Sequence, residues 1–274
     1  MAELKIDSSA IDPIQRRTYE AIVRVASEKQ VPFIIVGASA RDLVMHHGYG
    51  AQIQRATRDI DLAVQVEDWE SFDAIKTSLI ASGYRETKIA HRLVDEHNMP
   101  LDIIPFGPLA GAGARIEWPD EDRHMGVMGF TEALASADLV IVGGQPPLDV
   151  PVASPVGLAL LKLVSWSERE PQVRRKDAAD FFYLLHNYEN IPAITDRLYG
   201  EHADILEKYG WDTRMAAAHV LGADVARAAE IQTLLFLKSL LYGGSVERLC
   251  ADAGAASNDV IQALVSAFRM GMQA

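Results

Sequence analysis

The chain has 274 residues, 49% hydrophobic and 23% charged, with 19 Gly and 12 Pro, which excludes a disordered, collagen-like or low-complexity polymer and allows one large domain or two ordinary ones. A lone cysteine, Cys250, rules out an internal disulfide framework and a thiolate-rich metal site. No apolar run approaches the ~20 residues needed to span a bilayer, and the opening Met-Ala-Glu-Leu-Lys-Ile-Asp lacks the apolar stretch of a signal peptide. A cytoplasmic protein with no membrane association is expected.

The net charge of −12 is uneven. Residues 1–58 carry 8 basic and 6 acidic side chains, residues 59–150 carry 6 and 17, and residues 151–274 carry 12 and 15. Such a field disfavours long nucleic acid, although Lys162, Arg169, Arg174, Arg175 and Lys176 form a local basic cluster.

Asp12-Pro13 opens a helix with an acidic cap and a first-turn proline, and Tyr19, Ile22, Val23 and Ala26 continue it to Gln30. Phe33–Val36 is a short, β-branched apolar run and reads as a buried strand ended by Gly37. A helix from Ala40 stops at Gly48, and a polar loop runs from Tyr49 to Arg58. Residues 59–66 form the second strand, and Trp69, Phe72, Ile75 and Leu79 mark a helix face. Extended segments His91–Asp95 and Leu101–Ile104 flank a turn around Asn98. Pro105 to Ala114 reads as a loop, and Leu139–Val142 as a weaker strand before a Gly143–Pro147 turn. After Pro155 only helical periodicity remains, with Ala216–Leu241 and Val260–Met270 the clearest segments. The expected fold class is α+β: an N-terminal domain (residues 1–152) with a mixed central sheet flanked by helices, then an all-α domain (153–274).

Three features carry chemistry. Gly37-Ala38-Ser39 turns a strand into a helix, which offers backbone N–H groups to phosphate. Asp59 and Asp61 lie two apart on a strand and so point the same way, about 6.5–7 Å apart. Asp102 lies on a later extended segment between Leu101 and Ile103. Paired carboxylates repel unless a cation lies between them. An all-oxygen set of this kind suits Mg²⁺ or Mn²⁺ together with substrate phosphates. Each piece alone is common as surface polarity or turn chemistry; their order and placement together point to a metal and phosphate site.

The segments Ile35-Val-Gly37-Ala-Ser39-Ala-Arg41-Asp42 and Arg55-Ala-Thr57-Arg-Asp59-Ile-Asp61-Leu62 resemble the nucleotidyltransferase superfamily typified by DNA polymerase β. Its AbiEii/AbiGii toxin branch is the most similar; the tRNA CCA-adding branch shares a segment like Val36–Asp42 but expects later template motifs that are absent here. Ala38 stands where the family has a second Gly or a Ser, which leaves a side-chain phosphate contact to Ser39. The resemblance implies a metal-dependent transfer of NMP from an NTP to an acceptor hydroxyl, on tRNA, protein or a small molecule. Asp59, Asp61 and Asp102 would be catalytic and metal-binding. Gly37, Ser39, Arg41 and Thr57 would bind the nucleotide, and a cognate antitoxin would be a partner. It also extends to Lys162-Leu-Val-Ser-Trp166-Ser-Glu-Arg169 and Arg175-Lys176-Asp177-Ala-Ala-Asp180. There it implies that Lys162 reaches the nucleotide phosphates and that Asp180 positions nucleotide or acceptor. By spacing alone Lys162 and Arg169 read as a solvated helix face, and Trp166 as packing between the domains rather than a base-stacking platform. A catalytically silent binding module is the alternative of another class. His46 and His47 read first as surface residues near the loop and second as lining its mouth, His91 and His97 as surface residues, and Cys250 as packing. Leu234, Leu235 and Leu237 read first as core and second as a partner or dimer surface.

Overall fold

The computed structural model describes residues 2–53, 57–119, 124–254 and 259–273. Arg55 and Ala56 of the motif above lie outside the described residues. Two compact units form: Met1–Gly48 with Gln52–Ser154, and Tyr49–Ala51 with Pro155–Ala274.

The first unit contains β1 (Glu3–Ile6), α1 (Pro13–Lys29), β2 (Phe33–Val36), α2 (Gly37–Arg41), β3 (Ile60–Gln65), α3 (Trp69–Ala81), β4 (Arg85–Glu86), β5 (Arg92–Val94), β6 (Pro100–Phe106), β7 (Arg115–Glu117), β8 (His124–Gly126), α4 (Phe130–Ala135), β9 (Asp138–Val142) and β10 (Leu148–Val152). Eight strands make one mixed sheet in the order β1-β9-β10-β2-β3-β6-β5-β4, and β7 pairs with β8 separately. At its centre β2 runs antiparallel to β3, β3 parallel to β6, and β6 antiparallel to β5.

Asp12 caps α1 by accepting hydrogen bonds from the Ile14 and Gln15 amides. Gln30 ends the helix in a left-handed conformation. Ile22 and Val25 of α1 and Ile75 and Leu79 of α3 close on Phe33, Leu62 and Val64 of the sheet. Side chains alternate along a strand, so burying Leu62 and Val64 against these helices turns Asp61 to the opposite face.

Several elements depart from expectation. The helix after β2 starts at Gly37, and its second half, Asp42–Gly48, widens into a π-helix. β6 runs through Pro105 to Phe106 rather than ending there. β5 pairs only with Pro100–Asp102, so the missing N–H of Pro105 falls where no strand pairs on that side. β1 and β10 were not expected; β10, just after the Gly143–Pro147 turn, is a central strand despite Pro151.

The second unit holds α5 (Pro155–Glu168), α6 (Pro171–Asn187), α7 (Pro192–Tyr199), α8 (Ala203–Lys208), α9 (Thr213–Ala228), α10 (Ile231–Tyr242), α11 (Val246–Asp252) and α12 (Asp259–Gly271). The expected single helix over Ala216–Leu241 is broken at Ala229 and Glu230, both extended. No Gly or Pro marks the break; α9 packs along α12 while α10 meets α5. Leu237 is buried, but Leu235 is 55% exposed, so the expected core stretch is core on one side only. Among the described residues no helix is long and apolar enough to cross a membrane.

The α9–α12 crossing depends on two glycines. A Cβ on Gly222 would lie 2.8 Å from the Phe268 carbonyl carbon, and one on Gly271 would lie 2.8 Å from that of His219. Gly222→Ala is expected to cost about 1–3 kcal/mol as overpacking, read as a lower urea midpoint with unchanged slope.

Candidate active site

The sheet places the acidic residues in one lateral row. Val36 of β2 lies opposite Asp61 of β3, Asp61 opposite Asp102 of β6, and Asp102 opposite Arg92 of β5. Directly opposed residues share a face, with Cβ atoms about 4.5–5.5 Å apart. The two carboxylates are therefore neighbours by strand register. Asp59 precedes β3 by one residue, and its Oδ1 accepts a hydrogen bond of 2.7 Å from the Thr57 hydroxyl. Thr57 thus orients a carboxylate.

Gly37 meets this row at its β2 end. It has φ +71°, and a Cβ there would lie 2.8 Å from Asp61 Cγ and closer still to Oδ2. The glycine is required by the Asp61 carboxylate as well as by the turn.

At the other end Asp102, 8% exposed, is gripped on both oxygens. Arg92 Nε donates to Oδ1 at 2.6 Å and Nη2 to Oδ2 at 2.7 Å. The Arg92 pKa is raised, first by the hydrogen bond to Asp102 and further by the charges of Asp102, Asp59 and Asp61, against desolvation. One guanidinium thus sits in the field of all three aspartates. Among the described residues no three His, Cys, Asp or Glu side chains converge closely enough to hold a metal ion. The donor chemistry nonetheless fits a hard divalent cation: oxygen only, two carboxylates in register on one face, and a cationic side chain already held among them.

Ser39 and Arg41 face inward. Ser39 is 3% exposed, and its hydroxyl donates to the Val36 carbonyl at 3.3 Å. Arg41 is 1% exposed and donates to Asp42 Oδ1 from Nε and Nη2 at 2.9 and 2.6 Å. Ser39 and Thr57 line a cavity of about 150 Å³ with Tyr19, Asp42 and His47. Burial, and then the Asp42 charge, raise the pKa of the Tyr19 hydroxyl, opposed by a hydrogen bond with Ser39. Burial, and then His46, lower that of His47, which lines the cavity, as the second of its two sequence readings has it. His91 is likewise half-buried, its ring 5.6 Å from Trp118.

Lys162 and Asp180 lie in the second unit. Lys162 is buried, which corrects the solvated-face reading. Its Nζ lies 2.7 Å from Asp180 and 3.2 Å from Asp177, both carboxylates 1% exposed. Arg169 also pairs with Asp177, at 3.0 Å, and is 48% exposed. Trp166 is buried and has partners in the second unit itself, donating to Asp252 at 2.9 Å with Arg248 over its ring.

Sequence reasoning missed Arg92. The signal lay in hairpin register. A turn centred on Asn98 puts Val94 opposite Asp102; the actual centre is His97, which puts Arg92 there. Asp95 sets that centre by accepting from the His97 and Met99 amides.

No curated protein matches the chain. Solved structures match loosely. The antibiotic-resistance factor ANT(2'')-Ia in solution is 14% identical, with 73% of this chain and 99% of that one covered and a TM-score of 0.39. The same factor in complex with adenylyl-2''-tobramycin is 16% identical, with 62% and 87% covered and a TM-score of 0.38. The Thermotoga maritima CCA-adding enzyme complexed with tRNA is 11% identical, with 96% and 82% covered and a TM-score of 0.28. Superposition this loose carries no argument. The family model described as the nucleotidyl transferase AbiEii toxin of type IV toxin–antitoxin systems, by contrast, matches residues 20–243, a span that includes both the aspartate row and the Lys162–Asp180 helices. The chain therefore belongs to the AbiEii nucleotidyltransferase toxin family and is a nucleotidyltransferase, an enzyme that transfers NMP.

Proposed function

We propose that this protein transfers NMP from an NTP to a hydroxyl of tRNA or protein, with Mg²⁺ or Mn²⁺ as cofactor, and that it acts as the toxin of a pair with a cognate antitoxin. The observation that supports the reading is the register of Asp61 against Asp102 beside Gly37, inside the span the family matches. Asp59, Asp61 and Asp102 would hold the cation, which when bound neutralises triphosphate charge and favours departure of pyrophosphate. Thr57 holds Asp59 in place, and the backbone of the Gly37–Ser39 turn binds phosphate oxygens. In the inward-facing arrangement Ser39 and Arg41 act on the nucleotide by fixing that turn and the Asp42 helix, not by side-chain contact. Lys162, ion-paired with Asp180 in the second unit, would reach the nucleotide phosphates, and Asp180 would position the nucleotide or the acceptor. The acceptor oxygen bonds to the α-phosphorus as the α–β P–O bond breaks, pyrophosphate leaves with that electron pair, and the hydroxyl proton passes to Asp102. NTPs and tRNA are cytoplasmic substrates, so we place the activity in the cytoplasm.

The test incubates the protein with Mg²⁺ or Mn²⁺ and each α-labelled NTP, with total tRNA, with cell protein extract, and alone. Label in tRNA or protein is expected, and Asp59→Ala/Asp61→Ala should lower it at least 10³-fold, in the range lost when charge-stabilising groups are removed. Equal label from wild type and the double variant would overturn the site; no label with any acceptor, and no metal-dependent NTP binding, would favour a silent binding module.

A further inference from the structure

Arg92 closes the aspartate row on the side away from Gly37. It grips Asp102 with the two-pronged geometry of a guanidinium on a carboxylate, at 2.6 and 2.7 Å. Its side chain is 31% exposed, whereas that of Asp102 is 11% exposed. Solvent reaches the arginine, and the carboxylate lies beneath it. Both Asp102 oxygens are engaged, although each retains a further lone pair. A divalent cation approaching Asp102 meets a positive charge already there.

We propose that Arg92 is the stand-in cation of the metal-free site: it pairs with Asp102 and offsets one of the negative charges of Asp59, Asp61 and Asp102 when no metal is bound, and it releases part of its grip on Asp102 when a divalent cation enters. The inference rests on the metal-dependent reading above. Asp61 and Asp102 lie in register on one sheet face, with Asp59 just before β3, and their like charges repel one another. A fixed guanidinium offsets that repulsion and keeps the row assembled before substrate arrives. It also weakens cation binding by charge competition. A cation arriving with an NTP carries added negative charge from the phosphates and so meets less of this penalty. Arg92 thereby couples metal entry to nucleotide entry. It is a positioning residue, since it acts through Asp102. A brace serving only to join β5 to β6 would leave metal affinity unchanged.

The experiment measures Mn²⁺ binding to the full chain without nucleotide, by electron paramagnetic resonance of free Mn²⁺ and by calorimetry. The proteins are wild type, Arg92→Gln, Arg92→Lys and Asp61→Asn. Arg92→Gln is expected to tighten Mn²⁺ binding at least tenfold, and to have a lower thermal midpoint than wild type in EDTA but not in saturating Mn²⁺. Arg92→Lys keeps the charge without the fork and should change the Kd less than threefold. An Arg92→Gln Kd within threefold of wild type, or weaker, overturns the inference alone. Wild type that binds no Mn²⁺ even with an NTP added, or that binds it equally after Asp61→Asn, overturns the metal-dependent reading and the inference with it. Should Arg92→Gln fail to fold, wild type decides. Its Arg92 Nε–H resonance, identified as the one lost in Arg92→Lys, should be protected from exchange in metal-free protein and lose that protection as Mg²⁺ is added. A resonance unmoved by saturating Mg²⁺ overturns the stand-in role.

Discussion

Gly37→Ala is expected to lower stability by about 2–5 kcal/mol and transfer activity by roughly 10²-fold or more. Two separate costs add. The backbone at φ +71° is left-handed, which costs a residue with a Cβ about 1–2 kcal/mol. The new Cβ also runs into the Asp61 carboxylate, and such overpacking costs about 1–3 kcal/mol. Relief requires Asp61 or the turn to move, and a displacement of about 1 Å in a positioned group costs on the order of 10² in rate. A double-mutant cycle separates the terms. Asp61→Ala removes the obstructing carboxylate, so Gly37→Ala placed on that background should cost only its backbone share. Urea unfolding of the four proteins should give a coupling of about 1–3 kcal/mol. Additive stabilities would mean that the carboxylate does not occupy the space beneath Gly37.

Lys162→Met is expected to cost about 3–5 kcal/mol, the penalty for removing one partner of a buried ion pair. The ammonium lies between two carboxylates that are each 1% exposed. Asp177 keeps Arg169 as a partner, and Asp180 loses its 2.7 Å contact with the ammonium. Adding Asp180→Leu to Lys162→Met should recover part of the stability, because an apolar pair of similar volume leaves no buried charge uncompensated. Urea midpoints decide. A loss under about 1 kcal/mol from Lys162→Met would place the lysine among surface pairs and return it to the solvated-face reading.

Much of this site could be read from residue patterns because the signals are local. Phe33–Val36 followed by Gly37 marks a strand and a turn, and Asp61 lies on the expected second strand, although Asp59 falls just before it. Asp12-Pro13 marks a helix start through capping chemistry, and the cap is there. The helical second half follows from periodicity after Pro155. Elements without a local signature escaped. β10 contains Pro151 and follows a Gly/Pro turn, so its place between β9 and β2 depends on pairing partners distant in sequence. The break between α9 and α10 falls at Ala229 and Glu230, good helix formers both.

By itself, then, the sequence determined which residues carry charge, the helix start at Asp12-Pro13, and a strand over Phe33–Val36 whose glycine turn precedes the Asp59–Asp61 segment. Only the tertiary structure decided that Asp61 faces Asp102, that Gly37 makes room for Asp61, that Arg92 holds Asp102, and that Ser39, Arg41 and Lys162 turn inward. The division has one physical cause. Capping, periodicity and turn chemistry act over a few residues and leave their mark in composition. Strand register and burial are settled by the whole sheet and core, and a one-residue shift in the β5–β6 turn would exchange Arg92 for another neighbour of Asp102.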